Sequence, residues 1–320
     1  MTDADVERWD PSADPGEVAR LGDVLESAPG GPEVRRDYPL APWTTLKVGG
    51  AAALLVEPAD HEELAIVLRA LAATAADAVP MLVMGRGSNL LVSDDGFPGI
   101  VVRLGPGFAA IVRDGLRVTA GGAASMPVLA TFAANEGLAG LEFAAGVPAS
   151  IGGSVRMNAG AHGGEVADRL VSAQVTTADG VRDITRDALG LSYRHSELPP
   201  GGVVTAATWE LTADDLDAVR ARLDDVRAWR RATQPIGERT CGSVFTNPEG
   251  DSAGRIIEAA GLKGLRVGGA QISDMHANFI ETDAGARAAD VLAVVHTVQQ
   301  RVQDAGGPRL RPEVKVVGRF

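Results

Sequence analysis

The feature that most limits how this chain can fold is a run of small residues between positions 146 and 164. Eleven of its nineteen residues are Gly, Ala or Ser. Such residues bury too little apolar area to form a core, but they let a backbone lie against a large flat ligand or a pyrophosphate. Ile151, Val155 and Met157 interrupt the small residues and indicate an ordered, packed segment. We therefore interpret the run as a ligand contact; a flexible glycine-rich loop is the alternative.

A second glycine-rich turn follows Met81–Met84, a stretch that predicts a buried strand. The turn comprises Gly85, Arg86, Gly87, Ser88 and Asn89. Gly-x-Gly after a strand lets backbone N–H groups approach a phosphate without a Cβ in the way. Leu90 stands where a dinucleotide fingerprint has its third glycine, and Ser93–Gly96 turns the chain where a helix would follow. A Rossmann site is therefore disfavoured, and an ordinary tight turn remains the alternative.

Three polar motifs later in the chain carry groups that can do chemistry. Arg194 follows Tyr193, and an arginine there can clamp a carboxylate through two hydrogen bonds. Ser243 lies between a glycine and an apolar strand, which makes it a candidate proton donor or nucleophile without a GxSxG elbow. Glu313 places a carboxylate at the start of the last predicted strand. Taken singly, Arg194 is better explained as a solvated loop residue, and Glu313 as a salt-bridged surface residue.

Composition and charge exclude several classes of protein. The net charge of −12 repels a polyphosphate backbone, so we expect no nucleic-acid partner. The single cysteine, Cys241, excludes an internal disulfide and a thiolate metal site, and we interpret it as a buried structural thiol. No metal is expected. The acidic N-terminus lacks the pattern of a signal peptide, and no apolar run is long enough to cross a membrane. These features predict a cytoplasmic protein.

The periodicity of the sequence predicts a lead-in over residues 1–43. Scattered acids, Pro and Gly indicate that it is partly flexible, with one short helix near Glu17–Leu25. Residues 44–211 mix helices and short strands, including a helix over Met126–Asn135. Asp60 and Glu63 predict a capping box at the start of an earlier helix.

Residues 212–320 form the last predicted region. An amphipathic helix is predicted from Thr212, and a long helix from about Ala284 to Asp304. Glu313–Val317 predicts a closing strand. We see no internal repeat.

The order of the motifs along the chain is more specific than any one of them. GRGSN is followed by GVPASIGGSVRMNAGAHGGEV, SYRHS, CGSVFTNP, SAGRIIEAAGLKG, HANF and RPEVK. This series closely resembles the UDP-N-acetylenolpyruvoylglucosamine reductase family, also called the UDP-N-acetylmuramate dehydrogenase family. The resemblance covers roughly residues 44–318, which is most of the chain.

The resemblance implies an α+β fold. An FAD-binding region of the vanillyl-alcohol-oxidase (PCMH) type, made of two α+β subdomains, would occupy residues 44–211. A C-terminal α+β substrate-binding domain would occupy residues 212–320, with the final strand returning to the FAD region. The implied cofactors are FAD and NADPH, and the implied substrate is UDP-N-acetylglucosamine enolpyruvate, which is reduced to UDP-N-acetylmuramate for peptidoglycan. A monomer is expected.

The resemblance also implies roles for individual residues. Ser243 resembles the serine that protonates the substrate carbon, and Arg194 and Glu313 resemble the residues that flank the substrate carboxylate. The implied cofactor contacts are Gly85, Arg86, Gly87, Ser88, Asn89, Gly122, Gly146, Pro148, Ile151, Gly152, Gly153, Ser154, Asn158 and Gly160. The implied substrate contacts are Tyr193, Asn247, Lys263 and His276.

Two positions depart from the family pattern. Thr246 and Thr233 stand where lysines are usual, which changes how the UDP diphosphate would be bound. Arg230, Arg231 or Arg239 would be substitutes, and Lys263 remains. These departures leave open a flavin oxidoreductase of the same fold acting on another anionic substrate. A non-catalytic flavin- or UDP-binding paralogue is a further alternative, although Arg194, Ser243 and Glu313 are all present.

Overall fold

The computed structural model describes residues 8–9, 11–75 and 77–320, and its helices and strands are those of these residues. The α-helices are α1 (Pro15–Ser27), α2 (His61–Ala72), α3 (Met126–Asn135), α4 (Ile151–Arg156), α5 (Leu216–Thr233), α6 (Ala253–Ala259) and α7 (Ala288–Asp304). Short 3-10 helices cover Ala41–Trp43, Pro106–Phe108, Glu142–Gly146, Val166–Asp168 and Asp187–Leu189.

The β-strands of the described residues are short. They are β1 (Arg8–Trp9), β2 (Val34–Pro39), β3 (Ala51–Val56), β4 (Met81–Val83), β5 (Leu90–Val92), β6 (Phe97–Val102), β7 (Ile111–Asp114), β8 (Arg117–Gly121), β9 (Leu138–Ala139), β10 (Gly160–Ala161), β11 (Gly164–Glu165), β12 (Leu170–Thr177), β13 (Gly180–Thr185), β14 (Val203–Glu210), β15 (Thr212–Ala213), β16 (Thr240–Ser243), β17 (Arg266–Val267), β18 (Ala270–Ile272), β19 (Phe279–Thr282) and β20 (Lys315–Val317). The mixture of helices and sheets confirms the predicted α+β class.

The first lobe is the sheet β2-β3-β6-β4 with helices α1 and α2. Leu64, Val67 and Leu68 recur at helical spacing in α2, and all three are buried against this sheet. Strands β3, β6 and β4 are parallel, so their carboxyl ends meet at one edge. The glycine turn that begins at Gly85 follows β4 at that edge.

Both side chains predicted to cap α2 accept backbone hydrogen bonds, but that of Glu63 has a different donor from the one predicted. Asp60 accepts hydrogen bonds from Glu62 N and Glu63 N, as expected of an N-cap. The Glu63 carboxylate accepts from Ala59 N at 2.8 Å, one residue before the expected partner. The helix start therefore lies where the sequence predicted it.

The second lobe is the antiparallel sheet β13-β12-β14-β8-β7 with α3, α4 and α5. Helix α3 has the predicted limits. The prediction of a helix from Thr212 was wrong at its start, because Thr212 and Ala213 pair with β9 and Asp215 caps α5. Val219 and Leu223 of α5 join the second lobe's core. We therefore propose that the boundary between the second and third lobes follows α5, and does not fall at residue 212.

The third lobe is the antiparallel sheet β16-β19-β18-β17 with α6 and α7. The prediction that the long helix begins near Ala284 was wrong, since α7 begins at Ala288. Its start is fixed by Asp94 of the first lobe, whose carboxylate accepts from Ala288 N at 2.8 Å and Ala289 N at 3.1 Å. The lobes are thus joined at a helix terminus.

The final strand β20 lies in a parallel sheet between β1 and β5. Val316 of this strand and Leu91 of β5 share the third lobe's core with Leu46 and Val48. The last strand therefore pairs directly with the strand that follows the glycine turn.

Part of the predicted lead-in belongs to the first lobe. Helix α1 confirms the helix predicted near Glu17–Leu25, and β2 pairs with β3 over residues 34–39. Residues 1–7 and 10 of the predicted lead-in lie outside the described residues. Within the part of the chain that the structure describes, no helix has the length and apolar character needed to span a bilayer.

Candidate active site

Arg194 and Glu313 lie 119 positions apart in the sequence and meet in an ion pair. Arg194 Nε donates to Glu313 Oε1 at 2.6 Å, and the two side chains are 22% and 14% exposed. Burial raises the pKa of the Glu313 carboxyl, although Arg194 opposes this shift. Arg194 is therefore not a solvated loop residue, and Glu313 forms a salt bridge but is mostly buried, unlike the surface residue that its motif alone favoured.

A tight turn presents Arg194 to this pair. Ser192 and His195 exchange both backbone hydrogen bonds, and Arg194 between them has φ +57°. Its Nη2 also donates to Gly160 O at 3.2 Å, which ties the guanidinium to the run of small residues. Two of its nitrogen atoms are thus held by protein groups, and Nη1 remains for a ligand.

Ser243 ends strand β16, and the residue that follows it is bonded to the backbone of Glu313. Glu313 N donates to Val244 O at 2.7 Å, and Thr246 N donates to Arg311 O at 2.9 Å. The segment after Ser243 therefore runs against the segment that contains Glu313. Arg194, Ser243 and Glu313 come from three distant stretches of sequence, and the fold brings these stretches together.

Cys241, two positions before Ser243, is a structural thiol, as predicted. Its side chain is buried, and burial raises the pKa of the thiol to about 12. A buried thiol with a raised pKa stays protonated near neutral pH, which disfavours Cys241 as a nucleophile.

The glycine-rich segments predicted to hold a cofactor meet at the N-terminal end of α4. Gly152 N donates to Gly122 O at 2.9 Å, which joins α4 to the turn after β8. Gly85 packs against Ser150, the residue that caps α4. Three stretches separated in sequence thus form one surface.

At several of these positions, contacts with other protein atoms are what require glycine. A Cβ at Gly87 would lie 2.5 Å from Trp43 O, and at Gly122 it would collide with Val204 O. A Cβ at Gly85 would collide with Ser150 Oγ. Glycine at these three positions is therefore required for close packing of protein atoms, and it is not by itself a sign of a phosphate.

Other residues on this surface fit the charge and shape of FAD. Arg86 is exposed, and its side chain makes no hydrogen bond or ion pair with the described residues. Gly153 is exposed, and a Cβ there would meet only Ser150 Oγ, at 3.3 Å. Ser154 Oγ is buried without a hydrogen-bond partner among the described residues, and such a hydroxyl is unusual unless a ligand completes it. A guanidinium, an open backbone and an unsatisfied hydroxyl suit a diphosphate and its neighbouring groups.

The remaining predicted cofactor residues divide into accessible and buried groups. Pro148 is exposed, and Ser88, Asn89, Gly146 and Gly160 are half-buried. Ile151 and Asn158 are fully buried. Ile151 packs in the second lobe's core and its N–H donates to Ala124 O, so it has nothing to offer a ligand. We remove Ile151 and Asn158 from the proposed cofactor contacts for this reason.

The four predicted substrate residues lie in two places. Tyr193 is 54% exposed, and its ring centre lies 4.9 Å from the guanidinium carbon of Arg194. The other three surround α6: Asn247 Oδ1 accepts from Ala253 N, Lys263 pairs with Glu258, and His276 lies against Gly254. Burial lowers the pKa of His276, whose Nδ1 accepts from Asn278 N.

The two threonines that replace lysines are bonded to backbone. Thr233 Oγ1 donates to Trp229 O at 2.9 Å, and Thr246 Oγ1 donates to Arg311 O at 3.2 Å. Arg230 is half-buried, and its Nε and Nη1 donate to Gln234 and to Ala145 O.

Exposed arginines remain near these threonines. Arg231, Arg239 and Arg311 are exposed, and their side chains have no partner among the described residues. Arg311 lies directly opposite Thr246, and sequence reasoning did not single it out.

Asn278 is a second residue that sequence reasoning missed. Its amide Nδ2 donates to Phe245 O at 2.8 Å, and its Oδ1 accepts from Phe245 N at 2.9 Å. The signal was a lone amide between Ala277 and Phe279, because a polar side chain in an apolar strand is usually buried and fully bonded. Asn278 fixes the segment that carries Ser243.

Comparison with known proteins gives two family matches. A model described as an FAD binding domain matches residues 52–184, and the UDP-N-acetylenolpyruvoylglucosamine reductase C-terminal domain matches residues 234–317. A curated UDP-N-acetylenolpyruvoylglucosamine reductase from Anaeromyxobacter sp. (strain Fw109-5) is 46% identical over 90% of each chain. One from Myxococcus xanthus (strain DK1622) is 43% identical over 91% of this chain and 94% of its own length.

A solved structure gives the same result. The crystal structure of the reductase from Thermus caldophilus is 40% identical, with a TM-score of 0.77, and the match covers 89% of this chain and 98% of that one. The similarity therefore extends through both the FAD-binding and the C-terminal regions.

Proposed function

The chain belongs to the UDP-N-acetylenolpyruvoylglucosamine reductase family, and from this premise we propose that Arg194, Ser243 and Glu313 carry its chemistry. It is an FAD-dependent oxidoreductase that uses NADPH and makes UDP-N-acetylmuramate for peptidoglycan from UDP-N-acetylglucosamine enolpyruvate. The observation that carries the assignment of residues is the Arg194–Glu313 ion pair beside the Ser243 segment.

The residues that would hold FAD lie on the surface where the glycine-rich segments meet. They are Gly85, Arg86, Gly87, Ser88, Asn89, Gly122, Gly146, Pro148, Gly152, Gly153, Ser154 and Gly160. When bound there, the flavin would accept a hydride from NADPH and, once reduced, would supply a hydride to the substrate. Arg86 supplies positive charge for the diphosphate, and the backbone at Gly153 lets a flat group approach.

Arg194 acts on the substrate carboxylate. The substrate's enol ether is conjugated with this carboxylate, so addition of hydride places negative charge on the carboxylate and its α-carbon. The guanidinium is already held by Glu313 and Gly160 O, so it can stabilise the developing charge without reorganising. With Nε and Nη2 held in this way, Nη1 remains to bond the substrate carboxylate.

Ser243 delivers the proton to the α-carbon. A hydroxyl is a weak acid in water, so it needs charged neighbours and a means of recovering its proton. The raised pKa of Glu313 lets this carboxyl hold a proton more readily than an exposed one. We propose that Glu313 orients Arg194 and returns a proton towards Ser243.

Cations for the UDP diphosphate come from residues other than the usual lysines. Arg311 is exposed opposite Thr246, and Arg239 is exposed just before β16. Tyr193, Asn247, Lys263 and His276 remain proposed contacts of the sugar nucleotide. We also propose that the protein acts as a monomer in the cytoplasm, since its substrates are small soluble molecules; size-exclusion chromatography tests the monomer.

An assay of NADPH oxidation by the purified, FAD-loaded protein tests the proposed function. We expect oxidation that depends on UDP-N-acetylglucosamine enolpyruvate, with UDP-N-acetylmuramate identified by mass spectrometry. UDP-N-acetylglucosamine, which lacks the enolpyruvyl group, is the matched control and should support none. Oxidation driven by another anion, with no response to the enolpyruvyl sugar, would assign the site to a different substrate.

A further inference from the structure

Asparagine is scarce in this chain, and most of its occurrences lie at the active site. The five asparagines are Asn89, Asn135, Asn158, Asn247 and Asn278. Three of them share one arrangement, in which the side-chain amide donates to a backbone carbonyl in a segment that carries a proposed catalytic residue. We call Asn89, Asn158 and Asn278 the anchoring asparagines.

Asn158 holds the turn that presents Arg194. Its Nδ2 donates to Ser192 O at 3.0 Å, and its Oδ1 accepts from Ala167 N at 3.0 Å. The residue is fully buried, and its φ of +38° is one that asparagine tolerates better than most side chains. Because both the nitrogen and the oxygen of this buried amide are hydrogen-bonded, the amide fixes the position of the Ser192 carbonyl and therefore of the turn.

Asn278 holds the segment after Ser243 in the same way. It bonds both the N–H and the C=O of Phe245, and its backbone carbonyl accepts from Val244 N at 2.9 Å. Only 3% of this residue is exposed. The two residues that follow Ser243 are therefore bonded to a single asparagine.

Asn89 holds the third segment. Its Nδ2 donates to Glu313 O at 3.2 Å, and its own carbonyl accepts from Lys315 N at 3.1 Å. Asn89 is the last residue of the glycine turn, so this bond links the proposed cofactor surface to the carboxylate that pairs with Arg194. It is only half-buried, so water can partly replace its bond.

We propose that the anchoring asparagines are positioning residues, one for each of Arg194, Ser243 and Glu313. This inference rests on the proposed function. Arg194, Ser243 and Glu313 come from three separate stretches of sequence, so no single secondary-structure element fixes their mutual distances. A displacement of about 1 Å in a catalytic group can cost ~10²-fold in rate. An amide that donates to a backbone carbonyl supplies the needed constraint in all three places.

Substitution of each anchoring asparagine by aspartate tests the proposal. Aspartate keeps the size and one acceptor of asparagine but replaces the N–H donor with an oxygen that faces the carbonyl. Asn135→Asp is the matched control, because Asn135 is exposed and its Oδ1 only accepts from Arg220, a bond that aspartate keeps. We expect Asn158→Asp and Asn278→Asp to lower kcat by ~10-fold or more and to leave the FAD content unchanged. Asn89→Asp should lower kcat by a smaller factor.

Two further measurements separate positioning from general stability. Combining Asn158→Asp with Arg194→Lys should slow turnover little beyond Arg194→Lys alone, because both changes act through one guanidinium. Hydrogen exchange, which needs no turnover, should accelerate around residues 192–196 in Asn158→Asp and around residues 243–246 in Asn278→Asp. Asn135→Asp should change neither.

The outcomes distinguish this inference from the proposed function. If the wild-type protein reduces the enolpyruvyl sugar but the aspartate variants are as fast, the positioning role is overturned and the function stands. Additive losses in the double variant, or exchange that rises evenly across the chain, would also overturn it. If the wild-type protein has no such activity, the proposed function fails, and the local exchange pattern alone decides whether these asparagines hold their segments.

Discussion

The proposed cofactor surface and the proposed catalytic cluster are built in opposite ways. The cofactor surface comes mainly from two continuous glycine-rich stretches, and backbone-to-backbone contacts such as Gly152 N to Gly122 O hold it together. The catalytic cluster comes from three distant segments, and side-chain amides hold it together. The glycine-rich stretches of the cofactor surface can be recognised in the sequence, whereas the catalytic cluster is formed only when the chain folds.

The difference has a consequence for how each region fails. A Cβ at Gly87 or Gly122 of the cofactor surface would collide with a backbone carbonyl, so a substitution there must move backbone and acts on stability and on FAD together. Loss of one side chain in the catalytic cluster leaves the fold in place and removes a single chemical task. Substitutions on the cofactor surface should therefore change stability and FAD content, whereas substitutions in the catalytic cluster should change turnover.

The largest effect is expected for Ser243→Ala. Removing the hydroxyl should slow reoxidation of the reduced flavin by the enolpyruvyl sugar by ~10²-fold or more, the usual scale for loss of a general acid. Flavin reduction by NADPH should stay nearly unchanged, and substrate affinity should change little because the proton is transferred only in the transition state. Stopped-flow absorbance of the flavin measures the two half-reactions separately. Equal slowing of both would assign Ser243 to support of the cofactor surface.

A smaller loss, of about tenfold or more, is expected for Arg194→Lys. Lysine keeps the charge but loses the planar fork that bonds Glu313, Gly160 O and a carboxylate together. Steady-state turnover and bound FAD are measured on the same preparation. Arg117→Lys is the control, since Arg117 pairs with Glu210 at 3.2 Å on the exposed surface. Normal turnover in Arg194→Lys would mean that Arg194 has no role in catalysis.

Gly87→Ala should affect stability and FAD before it affects chemistry. Gly87 has φ +62° and a Cβ there would lie 2.5 Å from Trp43 O, whereas Gly115 has φ +60° and open space around it. Both alanine variants carry the left-handed strain of about 1–2 kcal/mol. Overpacking adds about 1–3 kcal/mol at Gly87 alone. Urea denaturation and FAD content measure the difference, and equal losses in the two variants would contradict the packing account of this turn.

The smallest effect concerns Glu313 and pH. Burial raises the pKa of this carboxyl above its ordinary value of 4.5, so above that pH this carboxyl holds more proton in the folded chain than in the unfolded chain. Its contribution to the free energy of unfolding should therefore fall as pH rises from 4.5 through the raised pKa. In Glu313→Gln this contribution is absent, so the wild-type protein should lose stability relative to the variant over this range. Denaturant titrations across this range compare the two proteins; identical slopes would mean that Arg194 cancels the effect of burial.

Much of the fold was predictable from the sequence because its signals are local. Helix α3 has the predicted limits, and α1 covers the helix predicted near Glu17–Leu25. The starts of α5 and α7 were wrong for a shared reason, since partners from distant segments fix both. Thr212 pairs with β9, and Asp94 of the first lobe accepts from the first N–H groups of α7.

The site shows the same division. Arg194, Ser243 and Glu313 were identified through resemblance of motifs, because no periodicity places residues 119 positions apart in contact. The asparagines were missed or misassigned for a related reason. A buried amide and a ligand-binding amide look alike in sequence, and only the partner atoms of Asn158 and Asn278 tell them apart.

We propose that the cofactor surface and the catalytic cluster together reduce an enolpyruvyl sugar nucleotide. Anaerobic single turnover of the wild-type protein tests this reaction most directly: reduced, FAD-loaded protein is mixed with UDP-N-acetylglucosamine enolpyruvate, and flavin absorbance and product are followed together. We expect full reoxidation of the flavin, with one UDP-N-acetylmuramate formed per flavin. Reduced flavin that persists in the presence of saturating enolpyruvyl sugar would contradict it.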